Sequence, residues 1–244
     1  MDERFHAFEK EVEDWHWWYR VRRDILDQQL GRLALDPACA RILDLGCGTG
    51  GASLTLARHG RAIALDRSPE SFRISMERPY AHRVVASASS KLPFADGSFD
   101  VVCALDILEH LDDDVAAARE LYRVCKPDGH VIAYVPAFQL LWGYNDDYSH
   151  HKRRYKKTQL AGVLTRAGFD VTESGYFNAV LFLPTLAARL VQRAAPRLTD
   201  GMEHSTRPSP LNGVLTSLFR AELPFLRRRP LPFGTSAYAL GEKR

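Results

Sequence analysis

Residues 41–50 read Arg-Ile-Leu-Asp-Leu-Gly-Cys-Gly-Thr-Gly and contain the strongest structural signal in this chain of 244 residues. Ile42–Leu45 is a short apolar run, typical of a buried strand. Every second position after it is a glycine: Gly46, Gly48 and Gly50. Glycines permit a sharp turn and let backbone N–H groups approach a ligand without a Cβ in the way. Because a helix is predicted directly afterwards, the segment indicates a strand, a nucleotide-binding turn and a helix.

Outward from this segment, short apolar runs alternate with helical stretches. We predict strands at 41–45, 61–65, 82–86, 99–105, 129–135, 169–176 and 235–240. We predict helices near 51–59, 69–77, 113–124 and 158–168. Thr158 is the expected N-cap of the last of these helices, and Pro127-Asp128-Gly129 is an expected turn before a strand. The alternation predicts an α/β fold with a mostly parallel sheet covered on both faces.

The overall composition argues against several classes of protein. A formal net charge of +3 does not suggest a dedicated nucleic-acid-binding protein. Cys39, Cys47, Cys103 and Cys125 form no C-x-x-C pair, so neither a zinc site nor a redox pair is indicated. The first residues lack a secretory pattern, and no apolar run reaches the ~20 residues that a membrane span needs. We therefore expect a cytoplasmic protein.

Two acidic residues flank the glycine turn. Asp44 stands two positions before the first glycine, and Asp66 ends the next predicted strand. An acid about 20 residues after the glycines is placed to hydrogen-bond ribose hydroxyls. A dinucleotide and S-adenosylmethionine both carry a ribose, but the usual G-x-G-x-x-G spacing of a dinucleotide site is missing. An acid at Asp44 does nothing for a pyrophosphate and is compatible with a cationic sulfonium, which favours S-adenosylmethionine.

Five segments together resemble the class I S-adenosylmethionine-dependent methyltransferases of the small-molecule type (methyltransferase type 11/12-like). They are Asp44–Gly50, Asp66, Leu92–Val102, Leu105–Leu111 and Val124–Gly129. The resemblance implies one domain over 1–244 with a Rossmann-like, doubly wound, mostly parallel seven-stranded sheet and an antiparallel last strand. It implies these cofactor-binding residues: Arg20, Asp44, Gly46, Cys47, Gly48, Gly50, Asp66, Arg67, Ser89 and Asp106.

Two parts of the chain qualify this resemblance. The family commonly has an acid four residues before Leu92-Pro-Phe, where it meets the adenine amino group, and this chain has Ala88. Ser89 is a candidate replacement. Residues 1–35 are predicted to form a helical cap, in which Trp17-Trp-Tyr-Arg20 resembles a segment that covers the cofactor's amino-acid end. The alternative is an aromatic stripe that packs on the core beside exposed arginines.

The predicted loop after the fifth strand contains the candidate catalytic residues. In residues 141–155, His151 is the candidate general base, because imidazole titrates near neutral pH. Asp146 is the candidate group that orients it. The candidate substrate-binding residues are Tyr19, His110, Trp142, Arg154 and Tyr155. The alternative is a network of acids and arginines that only fixes the loop. We predict no metal site, since Asp146, Asp147, His150 and His151 lack a recognised ligand spacing.

A long segment, 177–233, separates the last two predicted strands, which a short hairpin usually joins in this family. It opens with apolar residues and contains the basic run Arg227-Arg-Arg229. We expect a helical lid over a hydrophobic acceptor or a peripheral contact with the inner face of a membrane. A dimer interface is the alternative, so both a monomer and a homodimer remain open.

The function predicted from these features is methyl transfer from S-adenosylmethionine to a small, apolar or lipid-linked acceptor. O-methylation is favoured because of His151. Two alternatives remain: a non-catalytic cofactor-binding or assembly protein on the same fold, and an NAD-dependent oxidoreductase. Leu105-Asp-Ile-Leu stands where base-modifying enzymes have an N-P-P-Y-type tetrapeptide, which argues against methylation of nucleic-acid bases.

Overall fold

The computed structural model describes residues 9–79, 82–85, 91–194 and 211–244. Its strands are β1 (Arg41–Leu45), β2 (Arg61–Asp66), β3 (His82–Val85), β4 (Phe99–Leu105), β5 (Cys125–Pro136), β6 (Asp170–Phe177) and β7 (Ser236–Glu242). They form one sheet in the order β3-β2-β1-β4-β5-β7-β6. The first five strands pair in parallel, and β7 runs antiparallel to both β5 and β6. The predicted α/β class, with a mostly parallel sheet and an antiparallel last strand, is confirmed.

Helices cover both faces of the sheet. They are α1 (Trp17–Leu30), α2 (Gly51–Leu56), α3 (Pro69–Ser75), α4 (Asp114–Val124), α5 (Tyr144–Tyr148), α6 (Lys157–Ala167), α7 (Phe182–Ala194), α8 (Leu211–Arg220) and α9 (Leu223–Leu226). Because side chains alternate across a strand, Leu43 and Leu45 pack on the side of α4 and α6, whereas Ile42 packs on the side of α1. Two separate hydrophobic clusters therefore hold the sheet between its helical layers.

Two predicted boundaries are wrong. Strand β5 begins at Cys125, so Pro127-Asp128-Gly129 lies inside the strand, where the register with β4 shifts. Helix α6 begins at Lys157, and its N-cap is Lys156 rather than Thr158. The Gln159 Oε1 accepts the Lys156 backbone N–H at 2.7 Å, which starts the helix earlier than a threonine cap would.

The segment between β6 and β7 contains three helices in its described parts, α7, α8 and α9. Strand β6 continues through Phe177, so the segment starts one residue later than predicted, and residues 195–210 lie outside the described chain. Helix α8 packs on α1, where Phe219 meets Trp17 with ring centroids 6.0 Å apart. Helix α7 has no buried residue. None of the described helices is long and apolar enough to cross a membrane.

The sheet topology determines where a ligand can bind. The carboxyl ends of β1, β2 and β4 lie side by side, and each strand is followed by a loop at the same edge. Parallel α/β sheets bind ligands at this edge, near the point where the strand order reverses. Here the reversal lies between β1 and β4, directly beside the glycine turn.

Candidate functional site

A cavity of about 1030 Å³ opens at this edge of the sheet. Its walls come from the glycine turn, the loops after β2, β4 and β5, helix α1 with the residues just before it, and the segment between β6 and β7. The two regions that the sequence assigned to separate roles, cofactor and acceptor, therefore face one shared space. Its size is ordinary for a small-molecule site.

The glycine turn has a left-handed backbone at each of its three glycines. Gly46 has φ 74°, Gly48 φ 52° and Gly50 φ 87°, a region that other residues rarely adopt. A Cβ on Gly46 would also lie 2.7 Å from the Ile107 side chain. Gly46, Cys47 and Gly48 line the cavity. Gly50 does not, because it serves as the N-cap of α2.

Asp66 lies at the end of β2 and is fixed by backbone donors. The Gly48 N–H donates to its Oδ2 at 2.9 Å, and the Ser68 N–H donates to its Oδ1 at 2.8 Å. Each oxygen retains a further lone pair toward the cavity, which Asp66 and Arg67 both line. This geometry suits a carboxylate that accepts hydrogen bonds from two neighbouring hydroxyls.

Asp44 is buried beneath the turn, where the Ser53 hydroxyl donates to its Oδ2 at 2.5 Å. Burial raises the pKa of this carboxyl to about 6, although the Ser53 hydrogen bond acts in the opposite direction. A cation in the cavity would favour its ionised form. The arrangement therefore fits a positively charged ligand.

Glu13 was not predicted, and it decides between the two cofactor types. Its carboxylate accepts a hydrogen bond from Thr49 at 2.5 Å and pairs with Arg78 at 2.8 Å. A Cβ built on Gly51 would lie only 1.9 Å from Glu13 Oε1, so this carboxylate covers the start of α2. A dinucleotide places its pyrophosphate at such a helix N-terminus. Since the Glu13 side chain already fills this place, the turn is unsuited to a pyrophosphate.

Helix α1 presents a different arginine from the one predicted. Tyr19, Arg22 and Arg23 line the cavity, but Arg20 does not. Positions three and four apart share a helix face. Arg22 and Arg23 therefore lie on the same face as Tyr19, whereas Arg20 lies on another face. The buried Arg22 forms an ion pair with Asp106 and lies 4.2 Å above the Trp18 ring.

The loop after β5 is organised around the fully buried Asp146. Its Oδ1 pairs with His151 Nδ1 at 2.9 Å and with Arg154 Nε at 2.7 Å, and its Oδ2 accepts the Gly143 N–H at 2.8 Å. Burial would raise the pKa of Asp146, but the hydrogen bonds from His151 and Arg154 outweigh it and hold the pKa below the ordinary value. Asp146 does not itself line the cavity. Its contact with His151 uses Nδ1, and His151 itself lines the cavity.

The candidate substrate-binding residues separate into two groups. Tyr19, His110 and Arg154 line the cavity. Trp142 does not line it, because its Nε1–H donates to Asp147 Oδ1 at 2.9 Å. Tyr155 is buried outside it, where its hydroxyl lies 2.7 Å from Asp114 Oδ2 and 3.2 Å from the Leu108 carbonyl oxygen. For Trp142 and Tyr155, the alternative of a network that fixes the loop describes the structure.

Three titratable side chains meet at the floor of the cavity. The His110 and His151 rings are edge to face with centroids 4.7 Å apart, and Glu109 Oε1 lies 4.0 Å from His151 Nε2. Burial lowers the pKa of His110 to about 3, and the neighbouring His151 ring acts in the same direction, so the His110 ring is neutral near pH 7. Among the described residues, these three bring metal-competent atoms within 4.8 Å of one another, a different set from the one weighed in the sequence.

Sequence reasoning missed Glu13, Arg22, Glu109 and Asn178, all of which line the cavity. The helical phase of α1 could have identified Arg22. Glu109 stands next to His110, yet nothing in a single sequence distinguishes a buried glutamate from an exposed one. Ser89, the proposed replacement for the adenine-binding acid, lies outside the described residues.

Comparisons with known proteins agree with this geometry. Residues 43–133 match a family model described as a methyltransferase domain. A ubiquinone biosynthesis O-methyltransferase from Xanthomonas axonopodis pv. citri (strain 306) is 30% identical over 158 residues, which cover 57% of this chain and 66% of that protein. The chain spans 42% to 66% of the length of the first curated relatives that it matches.

Solved structures share the fold. A Haloferax volcanii chain solved in complex with the Trm112 methyltransferase activator superposes with a TM-score of 0.63 at 19% identity, covering 98% of this chain and 93% of the other. An S-adenosylmethionine-dependent methyltransferase from Archaeoglobus fulgidus superposes with a TM-score of 0.57 at 20% identity, covering 91% of this chain and 94% of the other. At these identities the likeness concerns the fold alone.

The buried hydroxyl of Tyr155 predicts a measurable contribution to stability. We expect Tyr155→Phe to lower the free energy of unfolding by about 1–2 kcal/mol, because Asp114 loses a buried hydrogen bond. Urea unfolding followed by circular dichroism measures the change. Tyr122→Phe is the matched control, since its exposed hydroxyl lies 3.5 Å from its partner and should cost less than about 0.5 kcal/mol. Equal effects in the two variants would contradict a structural role for Tyr155.

Proposed function

We propose, for a chain that belongs to the class I S-adenosylmethionine-dependent methyltransferases, that it methylates an oxygen atom of a small apolar acceptor. One observation carries the proposal. His151 is held by an ionised, buried Asp146 and lines the same cavity as the glycine turn. A histidine in this state is suited to remove a proton from a hydroxyl group.

The residues at the cofactor end fit S-adenosylmethionine. Asp66 would hold the ribose hydroxyls, and Gly46 and Gly48 leave room for close approach of the backbone. Glu13 and Asp44 provide negative charge, which suits a cation and disfavours a pyrophosphate. When bound, S-adenosylmethionine supplies a methyl carbon that is already electrophilic. The protein therefore has to align the acceptor and, for a hydroxyl acceptor, take its proton.

The proposed base has a defined tautomer. In the neutral ring that the proposal requires, the contact with the ionised Asp146 favours the proton on Nδ1 and leaves a lone pair on Nε2. The proton of the acceptor hydroxyl would move to Nε2, and the Asp146 carboxylate would stabilise the imidazolium that forms. With 15% of its side chain exposed, His151 can then release the proton to solvent.

The acceptor is proposed to be apolar or linked to a lipid. A relative named for ubiquinone biosynthesis supports this choice, as do the apolar side chains of Leu105, Leu111 and Leu181 in the cavity wall. The helices between β6 and β7 would act as a lid, because Leu181, Thr185 and Arg189 reach the cavity from this segment.

A peripheral membrane contact through the same segment is a second part of the proposal. Several of its large apolar side chains are exposed: Val180, Leu183, Leu190, Val191, Leu211, Val214, Leu218, Phe225 and Phe233. Arg227, Arg228 and Arg229 are exposed beside them. Apolar groups flanked by arginines are suited to the interface of an anionic membrane.

An assembly protein without turnover is the alternative to this proposal. It predicts that S-adenosylmethionine binds and that no methyl group leaves it. An intact Asp146–His151 pair in the cavity supports turnover instead.

Cofactor affinity is predicted to depend on Asp44. Since its pKa is about 6, protons compete with the cationic cofactor below that pH. We expect the Kd for S-adenosylmethionine to rise by up to about tenfold per pH unit between pH 6 and pH 5, as one proton requires. Calorimetry across this range measures the Kd as a function of pH, and Asp44→Asn should remove its dependence on pH. Asp36→Asn, a change at an exposed carboxyl, should leave it as in the wild type. A flat wild-type curve would contradict the role of Asp44.

Turnover is predicted to depend on His151. We expect His151→Ala to lower transfer of labelled methyl groups from S-adenosylmethionine into the small-molecule fraction of an extract by about 10²–10⁴-fold. Its affinity for S-adenosylmethionine should stay within about twofold of the wild type, because the cofactor end is untouched. His130→Ala, near the opposite end of β5, is the control. Full turnover by His151→Ala would exclude His151 as the general base. If the wild type binds S-adenosylmethionine but transfers no methyl group, the assembly alternative is favoured.

Membrane contact predicts binding to anionic vesicles. We expect co-sedimentation with phosphatidylglycerol vesicles at low salt that declines as salt screens the arginines. Changing Arg227, Arg228 and Arg229 to Gln should weaken it, whereas the same change at Arg58, Arg166 and Arg244 should not. If the protein stays in the supernatant at low salt whether or not vesicles are present, the membrane contact is contradicted. A doubled mass by sedimentation without vesicles would show that the surface joins two copies instead.

A further inference from the structure

Glu109 is the most unusual polar side chain in the cavity. It lies in the short 3₁₀ turn after β4, has no exposed surface and lines the cavity wall. Neither of its carboxyl oxygens has a hydrogen-bond partner among the described residues. A buried polar group left unpaired costs free energy, so such a group is usually completed by a ligand. The mechanism proposed above does not use it.

The surroundings of Glu109 keep the carboxyl neutral. Burial raises its pKa well above the usual range and the Asp106 carboxylate adds to this, whereas the backbone N–H of Glu109 itself, Arg22 and Arg154 only partly oppose it. His110, which also faces it, is uncharged near pH 7. A neutral carboxyl has one O–H donor and one acceptor oxygen. A buried, protonated carboxylic acid is known in enzymes as a donor to an oxyanion.

The spacing between Glu109 and His151 fits one intervening oxygen. Glu109 Oε1 and His151 Nε2 are 4.0 Å apart, which is too long for a direct hydrogen bond. A single oxygen can lie about 2.8 Å from both atoms and bridge them. On one side of this gap, His151 Nε2 can accept a proton. On the other side, the Glu109 carboxyl can donate a hydrogen bond.

We propose that Glu109 binds the reacting oxygen of the acceptor by donating its carboxyl proton in a hydrogen bond, and stabilises the oxyanion that forms when His151 removes the hydroxyl proton. The inference rests on the proposed function and adds the acceptor class. The acceptor is a phenol or an enol, because only an acidic hydroxyl forms a full oxyanion beside a neutral donor.

The step balances in atoms and charge. The acceptor O–H bond breaks and its proton binds His151 Nε2, which becomes an imidazolium paired with Asp146. The oxygen lone pair then forms the new O–C bond, while the S–C electron pair stays on sulfur and cancels the sulfonium charge. Glu109 keeps its own proton throughout, so no further reactant is needed.

The test uses 4-nitrophenol as a probe, because the absorbance of its phenolate reports ionisation directly. The probe is titrated against the full chain with S-adenosylhomocysteine present. We expect the wild type to bind the phenolate at least about tenfold more tightly than the phenol, the weight of one hydrogen bond to a charged group. Glu109→Gln keeps a neutral donor and should retain this preference. Glu109→Leu should lose it, with circular dichroism verifying that the variant is folded.

Several outcomes overturn the proposal. One is a wild type that shows no preference for the phenolate, and another is a Glu109→Leu variant that matches the wild type. A folded Glu109→Gln variant that fails as Glu109→Leu does would also overturn it, since an ionised carboxylate or a bound cation would then be required. Addition of a chelator and of Mg²⁺ to the wild type distinguishes these two requirements.

Failure of the proposed function would look different. His151→Phe should abolish methyl transfer while leaving the phenolate preference within about threefold of the wild type, because the donor remains. Full methyl transfer by His151→Phe, together with a phenolate preference that Glu109→Leu removes, would reject the base and retain the oxyanion donor.

Discussion

The buried carboxylate of Asp146 is the interaction on which the acceptor side of the cavity depends. Donors from three points of one loop converge on it: the Gly143 N–H, His151 Nδ1 and Arg154 Nε. An ionised carboxylate is tolerated inside a protein only with such partners, and loss of one partner leaves a buried charge uncompensated. The same charge fixes the conformation of the loop and the tautomer of His151. It therefore determines which nitrogen faces the cavity and the Glu109 carboxyl.

Charge is divided along the cavity in a way that suits the proposed chemistry. The acids Asp44 and Asp66 line the cofactor end together with Arg67, whereas Arg154 and Arg189 line the wall toward the proposed acceptor. The buried Asp44 favours a cation at the first end, and the two arginines favour an oxyanion at the second. In the proposed reaction the two reactants become neutral when the methyl group moves, and before that step their attraction is stronger in the cavity than in bulk water because protein lowers the local dielectric constant. Similarity of fold alone would not indicate this, because one solved neighbour of the same fold is named a [4+2]-cyclase.

The sequence was sufficient where structure follows from local pattern. The glycine turn and Asp66 were predicted because a strand, a tight turn and an acid after the next strand are encoded within 26 residues. The side chains of Trp142 and Tyr155 were misassigned, since each is polar and near the right loop but finds a partner outside the cavity. Glu109 was invisible for the opposite reason. Its importance comes from the absence of a partner, which only the packing of β4 against the loop after β5 creates.

One short segment connects the two ends of the cavity physically. Glu13 covers the start of α2 through Thr49, and two residues further on, the backbone of Trp15 accepts a hydrogen bond from Asn212 of α8 at 2.9 Å. The Trp17 N–H returns a bond to Asn212 Oδ1 at 2.8 Å. A shift of this segment at the glycine turn would therefore change its two bonds to Asn212 of α8. Because such coupling is reciprocal, whatever fixes the packing of α8 on α1 also favours the observed position of Glu13 over the start of α2.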